Sequence, residues 1–176
     1  MRKIFYTLFI TLLFFACDDY LTLDSPDQLT SANFWRNLQD AEAGLAAAYS
    51  QLEYSIDTWE FAEVKWPVEA YREDIIGIGK DAMNYPNWVE LYHFTYTNGN
   101  SQISAYWSNN YRGISFSNQV IEKVSQMSDE KIDPKMRKQI VNEAYFLRGY
   151  YHLKLLLNWN EIIIRDKYIT EQKDLS

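Results

Sequence analysis

Three carboxylates, Glu69, Glu73 and Asp74, fall within six residues. Glu69 and Glu73 stand four apart, the spacing that puts two side chains on one helix face. Paired carboxylates can do acid–base work on a glycosidic bond. On an exposed helix they are ordinary solvated groups, and at a helix end they hold backbone N–H groups; the run Arg72-Glu73-Asp74 reads best that way. His93 and His152 are the only histidines, and neither stands in a metal-ligating spacing. His152 lies in an apolar helical stretch, where a packed, hydrogen-bonded ring is expected. The run GIGKD at 77–81 has two glycines and a lysine but lacks the full phosphate-loop spacing, so it reads as a turn. No calcium-loop pattern accompanies the carboxylates. The residues therefore predict no catalytic group, no metal and no cofactor.

A different chemistry is written in the aromatic middle of the chain. Trp59, Trp66, Tyr71, Tyr85, Trp88, Tyr92 and Tyr96 crowd one poorly periodic segment, with Asn98 beside them. Aromatic faces stack on the C–H face of a sugar ring while amides and carboxylates bond its hydroxyls. Rings of this kind also fill gaps between helices, so each has a packing alternative. Trp59, Trp66, Tyr71, Trp88 and Asn98 are the candidate ligand contacts. The formal net charge of −7 argues against nucleic-acid binding, since phosphate contacts need clustered Lys and Arg. It argues equally against the protein's own surface adhering to anionic lipid.

The single cysteine, Cys17, carries the third chemistry. A lone cysteine cannot form an internal disulfide. It follows Arg2 and Lys3, an uncharged run from Ile4 to Phe15, and the small Ala16, the layout of a secretory signal peptide. As a helix that run would span about 18 Å, short of the roughly 20 residues a bilayer crossing needs. Cys17 after a small residue resembles a bacterial lipobox, in which the cysteine is lipidated and becomes the first mature residue. Asp18 and Asp19 resemble the acidic export signal of surface lipoproteins. An unlipidated thiol beside an ordinary cleavage site is the alternative.

Helical periodicity supplies the elements that would position these groups. Phe34, Leu38, Ala41, Leu45, Ala48 and Leu52 recur at steps of three and four and predict a helix over 31–54, with Thr30 or Ser31 as cap. Ala43, Ala46 and Ala47 would let a neighbour approach closely. A short helix is expected over about 60–73, then loop from Gly77 to Asn100. Ile103, Trp107, Tyr111, Ile114, Asn118 and Ile121 mark a helix over 102–126. Asp133 as cap and Pro134 at the first position open another over 134–158. Its stripe is Ile140, Ala144, Leu147, Tyr151 and Leu155, and Val141, Phe146 and Tyr150 add a second apolar side. A helix apolar on two sides must pack between other elements. Ile162–Ile164 is a short β-like run. The expected fold is all-α: antiparallel helix pairs similar to tetratricopeptide packing, with a long aromatic-rich loop region.

CDDYL at Cys17, the Phe34–Trp35 pair followed by DAEAGLAAAY, the run W-x3-Y-x2-I-x3-N-x-V-I from Trp107 to Ile121, and EAYFLRGYYHLKLL from Glu143 to Leu156 resemble the SusD/RagB family. These are nutrient-binding outer-membrane lipoproteins of Bacteroidetes. The resemblance implies an all-α, tetratricopeptide-like fold without catalytic residues. It implies a cell-surface glycan- or nutrient-binding lipoprotein that acts with a SusC-like TonB-dependent transporter and meets the membrane through its lipid anchor alone. The implied organisation is a signal peptide over 1–16, a lipidated tether over 17–29, a SusD-like N-terminal helical domain over 30–160 and a truncated tail over 161–176. Family members run to several hundred residues, so the chain reads as an N-terminal fragment. The family usually has a Gly and a Pro after its FLRA helix, and NWNEIII has neither. A helical-repeat interaction scaffold without glycan binding is the alternative function. A carbohydrate-active enzyme would rest on the carboxylate trio alone.

Overall fold

The computed structural model describes residues 33–53 and 66–169. The proposed signal peptide, the tether, Cys17, Trp59 and the helical caps at Thr30 and Ser31 lie outside these residues. The described residues from Trp35 onward belong to one compact body. It contains α1 (Leu38–Glu53), a helical turn at 66–70, a 3-10 turn (Lys80–Asn84), α2 (Pro86–Tyr92), α3 (Ser101–Ser125) and α4 (Pro134–Trp159). The described residues are helical, with no strand among them, and the fold is all-α as expected.

Each long helix starts where its side chains can satisfy the free N–H groups of the first turn. In α1 the Asn37 carboxamide oxygen accepts from the Asp40 N–H at 3.0 Å. Asp40 in turn accepts from the Arg36 N–H and clasps the Arg36 guanidinium through both oxygens, at 3.0 and 3.2 Å. Hydrogen bonding to that guanidinium holds the Asp40 carboxyl below the usual carboxylate range. The helix thus starts at Leu38, several residues later than the periodicity suggests. In α4 Asp133 caps the Lys135 and Met136 N–H groups and Pro134 takes the first position, as read from the sequence.

α3 and α4 form an antiparallel pair. Contacts run from Arg137 against Asp129, through Arg148 against Asn118, to Trp159 against Tyr106 and Trp107. The buried residues of α4 are the five of the predicted stripe. α1 contributes Ala41, Leu45 and Ala48 to the same core, while Ala43, Ala46 and Ala47 face solvent, opposite to their expected role. α3 differs more. Its buried face is Tyr106, Asn110, Gly113, Ile114, Ser117, Asn118, Val120 and Val124, and most of the predicted stripe is only half-buried at its edge. The face is selected by size: Gly113 and Ser117 permit close approach, and the Ser117 hydroxyl and Asn110 amide donate back to carbonyls of their own helix at 2.8 Å.

Tyr151 fits against Gly113. A Cβ on Gly113 would stand 2.5 Å from the Tyr151 ring, and the Tyr151 hydroxyl donates to the Ala48 carbonyl of α1 at 2.6 Å. Burial pushes the ionisation of this phenol well up. One side chain therefore joins all three long helices. Of the expected second apolar side of α4, Val141 and Tyr150 are half-buried and pack against the core, while Phe146 is 69% exposed, with Leu153 at 51% and Leu157 at 71% near it on the helix. The expected second side is thus covered at Val141 and Tyr150 and open at Phe146.

Two glycines separate these situations. Gly113→Ala drives a methyl into a ring that cannot retreat, and should lower unfolding free energy by about 1–3 kcal/mol. Gly149→Ala meets nothing within 4 Å and should raise it by about 0.5–1 kcal/mol through helix propensity. Urea unfolding of the two variants against wild type measures both signs.

Candidate ligand site

Residues 77–100 were expected to be loop, yet they hold α2, and α2 organises the aromatic segment. Pro86 presets its first turn, and the Trp88 and Val89 N–H groups bond the Tyr85 carbonyl at 2.9 and 3.2 Å. At this i, i+3 spacing Tyr85 and Trp88 stack with ring centroids 4.3 Å apart and planes 17° from parallel. Tyr71 meets Trp88 edge-on at 5.8 Å. Tyr71, Tyr85 and Trp88 make one half-buried aromatic cluster, and the Trp88 indole nitrogen is buried without a hydrogen-bond partner.

Two of the five candidates from the sequence, Tyr71 and Trp88, are thus brought together. Trp66 lies in the helical turn that leads into Tyr71 and is 55% exposed, but shares no ring contact or hydrogen bond with the cluster. Asn98 lies exposed in the turn before α3, also without a bond to it. Tyr85 is the cluster member that the candidate set lacked. The signal was present as Y-P-x-W, a proline-started turn with aromatics three apart.

The cluster is held from beneath and from one end. Leu91 on the inner face of α2 is fully buried and packs with Val68 and Tyr106. Asn100, 1% exposed, caps α3 by accepting from the Gln102 and Ile103 N–H groups at 3.1 and 3.4 Å. Its amide donates to the Asn87 carbonyl at 3.0 Å and to Glu90 at 2.9 Å. One carboxamide thereby fixes α2 against the start of α3. The far end of α2 closes with the Phe94 N–H on the Leu91 carbonyl and the Thr95 N–H on the Glu90 carbonyl, a Schellman arrangement. It places Phe94 at φ 56, a conformation that favours glycine.

The carboxylate trio is divided by the fold. Glu69 accepts from the Tyr106 hydroxyl and pairs with Lys154 at 3.0 Å, while Glu73 and Asp74 are exposed. Burial, then the hydrogen bond to Glu69, pushes the ionisation of Tyr106 well up. Glu69 is occupied in tying the 66–70 turn to α3 and α4. The helix end expected to be held by carboxylates is closed by Arg72, which donates to the Val68 carbonyl at 2.9 Å and to the Asn158 side chain. His93 is exposed and meets Tyr92 edge-on at 5.0 Å.

What the fold and this surface define is an all-α protein that presents aromatic rings from a braced short helix. A family model described as "Starch-binding associating with outer membrane" matches residues 19–174, and the chain belongs to this SusD-like family. A relative, the SusD-like protein P38 of Formosa agariphila, is 24% identical over 147 residues, covering 84% of this chain and 27% of the relative. The chain thus spans about a quarter of that relative's length. No solved structure matches it.

Asn100 separates capping from bracing. Asn100→Ala removes both and should lower stability by about 1–3 kcal/mol. Asn100→Asp keeps the cap acceptor but sets a carboxylate against Glu90. Its stability should be low at neutral pH and recover as acid protonates one of the two carboxyls. Thermal melts of both variants from neutral to acid pH test this.

Proposed function

We propose that the chain is a cell-surface glycan-binding lipoprotein, anchored through Cys17, that takes part in nutrient capture with a TonB-dependent outer-membrane transporter. The observation that carries the glycan reading is the Tyr71–Tyr85–Trp88 cluster within a family described as starch-binding. A stacked pair on a braced helix offers a preorganised aromatic surface, which lowers the ordering cost of binding. Trp66 and Asn98 remain candidates for extending the surface, as does Trp59. Their exposure or position in the sequence supports this, and each is tested by substitution. The functional reading has no catalytic step, since binding alone is required of such a component.

The anchor reading rests on the basic start, the uncharged run and Ala16-Cys17. Acyl chains on the cysteine contribute about 0.8 kcal/mol per buried CH₂, so two or three chains hold a protein stably at a membrane. Asp18 and Asp19 at the surface add nothing to insertion and serve as a sorting signal. A second reading, protein contact through the helical surface, is favoured by the uncovered side of α4 at Phe146, Leu153 and Leu157.

Affinity electrophoresis in starch and related polysaccharides tests the first reading. Wild type should be retarded by at least one of them, Trp88→Ala should lose most of that retardation, and Trp66→Ala should lose less. Retardation unchanged in Trp88→Ala would remove the platform from the binding surface. In a Bacteroidetes host, wild type should partition into detergent and Cys17→Ser should lose its lipid. A Cys17→Ser protein that stays with membranes after signal cleavage would refute the anchor.

A further inference from the structure

We propose that the outer face of α4 is the interface of a symmetric dimer of this chain, in which two copies of α4 lie antiparallel and cross at Gly149. Lys138, Asn142, Phe146, Gly149, Leu153 and Leu156 are all exposed and recur at steps of three and four. That spacing lines them along one strip of the helix, opposite the buried stripe of Ile140, Ala144, Leu147, Tyr151 and Leu155. Water disfavours the apolar middle of the strip; its shape and charge decide what it fits.

Gly149 leaves the middle of the strip without a side chain, and a Cβ there would meet nothing within 4 Å. Two helices approach most closely where neither carries a side chain, so Gly149 is the point at which two copies can cross. Phe146 stands one turn before the glycine and Leu153 one turn after it. A two-fold axis beside Gly149 therefore sets Phe146 of each copy against Leu153 of the other.

The same axis carries Leu157, two turns beyond the glycine, to a pocket of about 450 Å³ that lies two turns before it on the other copy. Gln139, Asn142, Glu143 and Phe146 line that pocket. They stand at i, i+3, i+4 and i+7, the four corners of the hole into which a facing helix inserts a knob. Knob and hole thus lie on one helix at equal distances from Gly149. A face that carries its own complement in this way pairs with a second copy of itself.

Charge chooses the direction. Lys135 and Lys138 lie in the first two turns of α4 and Glu161 just beyond its end, all exposed. Antiparallel copies bring Lys138 of each opposite Glu161 of the other, whereas parallel copies would set lysine against lysine. The helix dipoles favour the antiparallel arrangement as well. A strip one helix wide and roughly 33 Å long falls short of the roughly 800 Å² per partner of a standard interface, so the dimer is a reversible one. The aromatic cluster reaches α4 through Glu69 on Lys154 and Arg72 on Asn158, away from the strip, and pairing leaves it open in both copies.

Sedimentation equilibrium of the full chain in a density-matched mild detergent tests the interface. Wild type should pass from dimer to monomer on dilution from about 100 µM to about 1 µM. Leu153→Glu, at an exposed position, should weaken the dimer about tenfold or more and leave the helical circular dichroism unchanged. Oxidation in a Cys17→Ser background, where an introduced cysteine is the sole thiol, reads the symmetry. Gly149→Cys lies at the axis and should form a disulfide-linked dimer about tenfold faster or more than Asn142→Cys, whose two copies stand about 20 Å apart along the pair. A wild type that stays monomeric throughout, alone or with another polypeptide seated on this face, would overturn the proposal. So would a dimer that Leu153→Glu does not weaken, or cross-linking of Asn142→Cys as fast as that of Gly149→Cys.

Discussion

The contact between Tyr151 and Gly113 is the constraint on which the rest of the body depends. A ring can lie against α3 only where α3 has no side chain. Its hydroxyl, buried by that approach, must then find an acceptor, and the Ala48 carbonyl supplies it at 2.6 Å. Because the ring fixes both the α3–α4 separation and the height of α1, the other core residues follow in register. Leu147 and Leu155 lie on the Tyr151 side of α4, and Ile114 and Val120 answer them from α3. Removing the methyl at position 113 is thus a more specific instruction than any of the large apolar residues around it.

The site inherits this order through polar side chains. Glu69 joins the 66–70 turn to Tyr106 of α3 and Lys154 of α4, and Arg72 reaches Asn158. Asn100 does the same for α2, with its carbonyl oxygen spent on a helix cap and its amide on two acceptors. α2 has only seven residues and would not persist alone, since isolated helices shorter than about 12 residues are marginal in water. Its aromatic pair is presented rigidly because the helix is clamped at Asn100, seated by Leu91 and closed at Phe94. The strain at Phe94 is carried at an exposed position by those surroundings.

What the sequence disclosed follows the strength of its physical signals. The α4 stripe recurs at five positions behind an aspartate cap and a proline, and every residue of it is buried. The α3 stripe held at Ile114 and Asn118 but misled elsewhere, because apolarity was read where size decided: Gly113 and Ser117 face the core and Trp107 and Ile121 flank it. α2 was hidden by its length, for seven residues carry less than two helical periods. Pro86 and the Tyr85–Trp88 spacing were the available clues. Of the ligand candidates, Tyr71 and Trp88 converge because one follows a helical turn and the other sits on α2, a relation between distant segments that spacing cannot express. The β-like run Ile162–Ile164 forms no strand, since its backbone is engaged by Tyr111 and its neighbours by Asn118, Arg148 and His152. Asn160 takes a positive φ of 62, a conformation glycine would accept without strain.

The second side of α4 shows the limit of any periodicity argument. Val141, Phe146 and Tyr150 read as a second apolar side, yet Val141 and Tyr150 pack against the core, while Phe146 stands exposed with Leu153 and Leu157. Only one side is matched by small residues on a described neighbour. Tyr151 has Gly113 to lie on, and Ala144 shares the core with Ala41 and Ala48 of α1. Periodicity states which surfaces water disfavours; it is steric complementarity, residue against residue, that names the element able to cover them. On the outer side Gly149 offers a shallow seat between Phe146 and Leu153, open to any helix with a large side chain at the matching height. The same pairing of a small residue with a ring that built the inner face is therefore available, in reverse, on the outer one.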